Sequence, residues 1–116
     1  MIAMSAPTNA ARASHGLALL LAAPVGSGSG AVAAGLVESA TRRGIDVDLF
    51  LMDAGVDALG TELVPGWIAA GARVTVCTRS AADRRAPLDI EGVDYAGQYQ
   101  LAALVAGAPR FVGLTR

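Results

Sequence analysis

Apolar positions along the chain follow two different periods in turn. Leu17 to Ala23 is a continuous apolar run, the pattern of a strand buried on both faces. Pro24 to Gly30 (PVGSGSG) interrupts it as a loop. From Ala31 to Arg43 apolar residues recur as Val32, Leu36 and Ala40 and as Ala33 and Val37, which is helical spacing on one face. Ser29 is placed to cap this helix and Gly44 to stop it, and Arg42 and Arg43 suit the negative end of its dipole. Ile45 to Met52 (IDVDLFLM) reads as a second strand, alternating at first and wholly apolar at its end. Asp53 to Gly60 reads as a loop or a short helical turn. Pro65 suits the first turn of a helix reaching about Ala70, with Gly71 closing it. Arg73 to Cys77 (RVTVC) is a third strand. Thr78 to Pro87 is polar and basic, with room for a short helix. Ile90 to Tyr95 holds a short fourth strand broken by Gly92. Gln98 to Ala106 is helical, with Leu101, Leu104 and Val105 on one face and Gly107 as terminator, and Arg110 to Leu114 (RFVGL) is the last strand.

Strands alternating with helices of this length give βαβ units. The expectation is an α/β fold: a single domain over residues 16–116 with a four- or five-stranded, mainly parallel sheet and helices on both faces, since right-handed crossovers place them there. Residues 1–15 (MIAMSAPTNAARASH) are small and polar without a period and read as a disordered tail that includes His15. Ligands of such sheets lie outside the carboxyl ends of the strands. Four segments fall there: Pro24 to Gly30, Asp53 to Gly60, Cys77 to Ser80, and Thr115 to Arg116.

Composition narrows the chemistry. With 53% hydrophobic and 16% charged residues the chain is not intrinsically disordered, although 25 residues are alanine and only five are aromatic. A net charge of −1 gives no electrostatic footprint for nucleic acid or for an anionic membrane surface. All nine basic residues are arginine, which excludes a Walker phosphate loop and Schiff-base catalysis, both of which need a lysine. One histidine and one cysteine exclude a disulfide within the chain, a cysteine zinc site and a histidine cluster, so neither a metal nor a cofactor is expected. The apolar run Leu17 to Val25 is nine residues, against the ~20 that span a bilayer. It has the length of a signal-peptide core, with Arg12 before it, but the Gly/Ser loop and helix behind it fit a strand better. A single reduced thiol suits a reducing compartment, so a cytoplasmic location is expected. So few charged residues on a small domain also predict a homo-oligomer, with the Trp67–Ile68 helix and the alanine-rich helix faces as candidate contacts.

Cys77 is the residue with chemistry. It ends an apolar strand at the carboxyl edge, and Thr78, Arg79 and Ser80 follow at once. Thr78 or Ser80 is placed to cap a helix beginning near Ala81, and Arg79, Arg84 and Arg85 add positive charge. A thiol at a helix start beside arginine has its thiolate favoured. Without a partner histidine, the chemistry open to it is that of a thiolate alone: accepting sulfur as a persulfide, exchanging disulfides, or being oxidised. The alternative is a small buried hydrophobe that closes a strand.

Three stretches, LALLLAAPVGSGSGAVAAGLVESATRRGIDVDLFLMDAGV, GARVTVCTRSAADRR and EGVDYAGQYQLAALVAGAPRFVGL, resemble the DsrE/DsrF-like family of small sulfur-relay proteins over about Leu17 to Leu114. The stretch between Cys77 and Tyr95 is shorter than the loops of some members. The resemblance implies that Cys77 stands at the sulfur-accepting cysteine. It further implies a persulfide carrier that works with a sulfur donor and an acceptor protein in a dimeric to hexameric assembly.

A second constellation competes. Gly28, Gly30 and Ala33 form G-x-G-x-x-A between a strand and a helix, and Asp53 lies 23 residues after Gly30, as in a dinucleotide fingerprint. The chain is short for a dinucleotide fold, and the glycines also serve to turn the chain tightly. Gly26, Ser27, Gly28, Ser29 and Gly30 could alternatively hold an anion or a nucleotide on backbone amides, making the protein a non-catalytic ligand module or structural oligomer. A flavin would find only Tyr95 and Trp67 to stack on. Asp46, Asp48 and Asp53 lack the further ligands of a cation site and read as solvated edge charges.

Overall fold

The computed structural model describes residues 16–115; the expectations for the tail 1–15, His15 within it, and for Arg116 lie outside them. Five strands form one sheet: β1 (Gly16–Leu21), β2 (Asp46–Leu51), β3 (Arg73–Cys77), β4 (Val93–Ala96) and β5 (Arg110–Leu114). Their order is β4-β3-β2-β1-β5, and every pairing is parallel. The connections are α1 (Gly28–Arg42), a 3-10 segment Asp53–Gly60, α2 (Leu63–Ala69), α3 (Thr78–Asp83) and α4 (Gln98–Gly107).

The strand order explains where the helices sit. From β1 to β4 the chain moves steadily toward one edge, so right-handed crossovers put α1, α2 and α3 on one face. The last connection runs from β4 back across the whole sheet to β5. The same handedness therefore puts α4 on the other face. The main core lies on the three-helix side. Leu19, Leu21, Val47, Leu49, Leu51, Val74 and Val76 meet Ala33, Val37 and Ala40 of α1, Val56 of the 3-10 segment, Val64 and Trp67 of α2, and Ala81 of α3. On the α4 side, Ala18 and Phe50 are each 1% exposed, but α4 itself buries no residue fully.

Several boundaries differ from the sequence expectation, each for a local reason. β1 stops at Leu21, two residues early, where its partner β2 also ends at Leu51. α1 starts at Gly28 and not at Ala31, because Ser27, not Ser29, is its cap: the extended Ser27 accepts the Gly30 N–H on its Oγ at 3.2 Å. α3 starts at Thr78, three residues before Ala81, so neither Thr78 nor Ser80 is its cap. β4 starts at Val93, because Gly92 turns the chain at φ +86° just before it. Trp67, at 6% exposed, belongs to the core, and Ile68 is half-buried, so the α2 surface expected as a subunit contact is largely used inside the chain.

Candidate functional site around Cys77

The parallel sheet brings three of the four segments expected at its carboxyl edge to one end of the molecule: the loop after β1, the 3-10 segment after β2, and Cys77 with α3 after β3. The fourth, Thr115 to Arg116, follows β5 at the same edge, with Arg116 outside the described residues. Cys77 and the Gly/Ser loop belong to strands two places apart, a lateral separation of about 10 Å at the usual strand spacing.

Cys77 is both the last residue of β3 and the N-cap of α3. Its backbone is extended (φ −66°, ψ 114°), and its Sγ accepts the Ser80 N–H at 3.4 Å, in the place where a serine or aspartate oxygen usually stands. A second donor arrives from across the sheet edge: Nε2 of Gln98, the first residue of α4, donates to Cys77 Sγ at 3.6 Å and lies 3.9 Å from Met52 Sδ. Thr78 fixes the start of α3 by donating from Oγ1 to the Ala96 carbonyl at 3.3 Å, which ties α3 to the end of β4. Cys77 is 4% exposed.

Burial pushes the Cys77 thiol up, but hydrogen bonds from the Ser80 hydroxyl and amide, the Gln98 side chain and the Arg79 amide outweigh it. The thiol is therefore held below its ordinary value. The expectation that arginine charge does this work is corrected. Arg79 pairs with Asp83 at 3.3 Å one turn on, and Arg84 makes a two-pronged pair with Asp57, at 3.1 and 2.8 Å. Hydrogen-bond donors aimed at the sulfur carry the effect.

Of the residues singled out from the sequence, Cys77 and Ser80 meet directly, Thr78 holds the frame, and the Arg79 side chain is turned outward. Gln98 and Met52 were not singled out. They lie 21 and 25 residues from Cys77 in sequence, and only the crossover from β4 to α4 and the turn after β2 bring them near.

The Gly/Ser loop closes on itself. Ser27 Oγ donates to the Pro24 carbonyl at 2.6 Å while accepting from Gly30 N–H. A Cβ at Gly30 would stand 2.1 Å from the Val25 carbonyl oxygen, so that glycine is required by the turn, whereas Gly26 and Gly28 face open space and Ser29 lies in the first turn of α1. Asp53 begins the 3-10 segment at φ +48° and is exposed. Asp48 pairs with Arg73 on the neighbouring strand at 3.7 Å, and among the described residues no group of three or more His, Cys, Asp or Glu could hold a metal ion. No helix among the described residues is long and apolar enough to cross a membrane.

The parallel order, the three helices on one face and the single helix on the other define a five-stranded parallel α/β fold. A solved structure shares it: the YchN protein from E. coli superimposes with a TM-score of 0.68 at 22% sequence identity, over 85% of this chain and 98% of that one. At that identity the likeness establishes the fold. No protein-family model matches the sequence, and no curated protein matches it closely enough to count as a relative.

Proposed function

We propose that this protein is a sulfur-relay protein that accepts and passes sulfur as a persulfide on Cys77. One observation carries the reading: the chain's only thiol caps a helix at the carboxyl edge of a parallel sheet, with hydrogen-bond donors from two elements aimed at its sulfur. The DsrE-like fold and the family resemblance of the sequence support it. In the loading step the Cys77 thiolate attacks the outer sulfur of a donor persulfide. The donor S–S bond breaks, its thiolate leaves, and one S–S bond forms on Cys77, so no external oxidant or reductant is needed. Unloading is the same exchange with an acceptor thiolate as nucleophile. Thr78 holds the helix start, and the Arg79 and Ser80 amides and the Gln98 side chain stabilise the thiolate that attacks and later leaves. Cys77 is nearly buried, so the donor group must approach past Gln98, the exposed side chain over the sulfur.

Donor and acceptor proteins, a homo-oligomeric state and a cytoplasmic setting complete the proposal. Exposure of Val105 on α4 and Phe111 on β5 supports the oligomer. The competing reading is a ligand module at Gly26 to Gly30, supported by the open space over Gly26 and Gly28. Incubation with a cysteine desulfurase and cysteine, read by intact mass, tests the carrier. The wild type gains ~32 Da, one sulfur atom on a reactive thiolate, and Cys77→Ser gains nothing. An unmodified wild type, together with calorimetric binding of NAD, FMN or ATP that Gly28→Val abolishes, would favour the module instead.

A further inference from the structure

The sheet has two edges, and they are finished differently. At one, β4 is four residues long and carries exposed Asp94; short, charged edges resist pairing with another chain. At the other, β5 has no charge after Arg110, no proline within it and, among the described residues, no element beyond it. The direction of its backbone groups is fixed by one bond: Ala22 N–H, following β1, donates to the Leu114 carbonyl at 2.8 Å. Successive strand residues point their N–H and C=O to opposite sides, so Arg110, Val112 and Leu114 bond toward β1. Phe111 and Gly113 therefore turn both groups outward, away from the sheet.

The strip around this edge is apolar on both faces. On the α4 face, exposed Phe111 stands beside Ala18, and exposed Val105 lies in the last turn of α4, just before the connection to β5. On the other face, α1 turns Ala33 and Val37 into the core and Ala34 and Glu38 toward α2. At about 100° per residue, its remaining flank carries exposed Val32 and half-buried Leu36. That flank looks toward β5, because β5 lies beyond β1 on the side away from α2.

We infer that β5 is the interface of a two-fold pair, in which the β5 strands of two copies run antiparallel and join their sheets into one. The inference rests on the homo-oligomeric reading and not on the chemistry of Cys77, which lies three strands away and stays open. The register follows from the sequence RFVGL. With the axis at Val112, Phe111 of each copy stands opposite Gly113 of the other, so residues with outward groups face each other and each pair exchanges both backbone hydrogen bonds. The Phe111 ring already leans along its own strand, 3.5 Å from where a Gly113 Cβ would stand, and the glycine across the axis leaves it the same room. The two Arg110 side chains start about 13 Å apart along the strands, at opposite ends, so like charges do not meet. An axis at Phe111 would set Pro109, which has no N–H, opposite Gly113, and an axis at Gly113 would set two glycines face to face with no side-chain contact. A strand about 17 Å long is narrow against the ~800 Å² per partner of a standard interface, and the apolar flanks on both faces broaden it.

The test combines particle mass from light scattering with amide hydrogen exchange followed by NMR. The expected result is an even number of chains per particle, with the Phe111 and Gly113 amides protected although neither has a partner within its own chain. Gly113→Pro removes an outward N–H and leaves the bonds to β1 intact, since an edge strand tolerates proline with its nitrogen turned to solvent. It is expected to halve the number of chains per particle and to make the Phe111 amide exchange at least about tenfold faster. Phe111→Lys sets a charge on the same edge, keeps the test open should the proline variant not fold, and is expected to weaken association at least about tenfold. A monomeric wild type overturns the homo-oligomeric reading and this inference with it. The inference alone is overturned by an odd number of chains, by an oligomer whose Phe111 and Gly113 amides exchange freely, or by folded variants of unchanged particle mass. Filaments that lengthen with concentration also overturn it, since they would mean that β5 pairs with the β4 edge of the next copy and the assembly does not close.

Discussion

At Cys77 a sulfur atom fills the capping position at a helix start, and the consequence is chemical as well as structural. The donors that complete the cap, Ser80 and Gln98, also favour the thiolate over the thiol. Alkylation by iodoacetamide is therefore expected to titrate below the ~8.5 of a free cysteine. Gln98→Ala should move that midpoint up, because it removes a donor that stabilises the charged form. A folded-state value below the unfolded one makes the thiolate a stabilising group above the unfolded thiol's value. That stability is lost as pH falls through the folded value, so the stability difference between wild type and Cys77→Ser should widen toward alkaline pH. Glycine makes a second demand on single residues. A Cβ at Gly55 would stand 2.0 Å from the Leu21 carbonyl oxygen, so Gly55→Ala must shift backbone and should cost about 1–3 kcal/mol in urea unfolding. Gly60→Ala in the same segment meets nothing and should be near neutral. Cys77 was legible in the sequence because it is the only thiol and it closes an apolar strand. Its donor Gln98 was not, because nothing local marks a residue 21 positions away as a neighbour.

At the scale of elements, the two faces of the sheet are built to different standards. Leu49, 1% exposed, faces the three-helix core, whereas Leu104 of α4 is only half-buried on the other face. Leu49→Ala is expected to cost about 2–5 kcal/mol and Leu104→Ala less than about 1.5 kcal/mol, a contrast that urea titration resolves. Amides of α4 should likewise exchange with deuterium sooner than those of α1, since few buried contacts hold that helix down. The elements themselves were readable from periodicity: β3 and β5 span the expected residues, Arg73–Cys77 and Arg110–Leu114, and α4 begins at Gln98 as expected. Periodicity also found an apolar stripe on α4, Leu101, Leu104 and Val105, but it did not show which way the helix is turned. Leu101 and Leu104 are half-buried, and Val105, 40% exposed, is left outside. The caps were misread for a comparable reason. Ser27 and Ser29 are equivalent by composition, and only the hydrogen bond from Gly30 N–H to Ser27 separates them.

For the whole molecule, the strand order decides what can act together. A parallel sheet sends every strand's carboxyl end to one edge, so Cys77, Met52 and the Gly/Ser loop share that edge although they come from three different connections. The last crossover is what carries Gln98 over the thiol. It also leaves the α4 side of the sheet thinly covered, with Tyr99 and Val105 of α4 and Phe111 of the edge strand β5 exposed. A second chain on that side would cover them, and light scattering is expected to show a homo-oligomer; a stable, non-aggregating monomer at micromolar concentration would contradict it. The central claim, that sulfur is both taken up and passed on at Cys77, is tested most directly by loading the protein with isotopically labelled sulfur from a cysteine desulfurase and then adding cyanide, which removes sulfane sulfur as thiocyanate. The account predicts about one labelled sulfur per chain on Cys77, released by cyanide with recovery of the free thiol and absent from Cys77→Ser. A native protein that takes up no label, or holds it in a form that cyanide does not release, would contradict it.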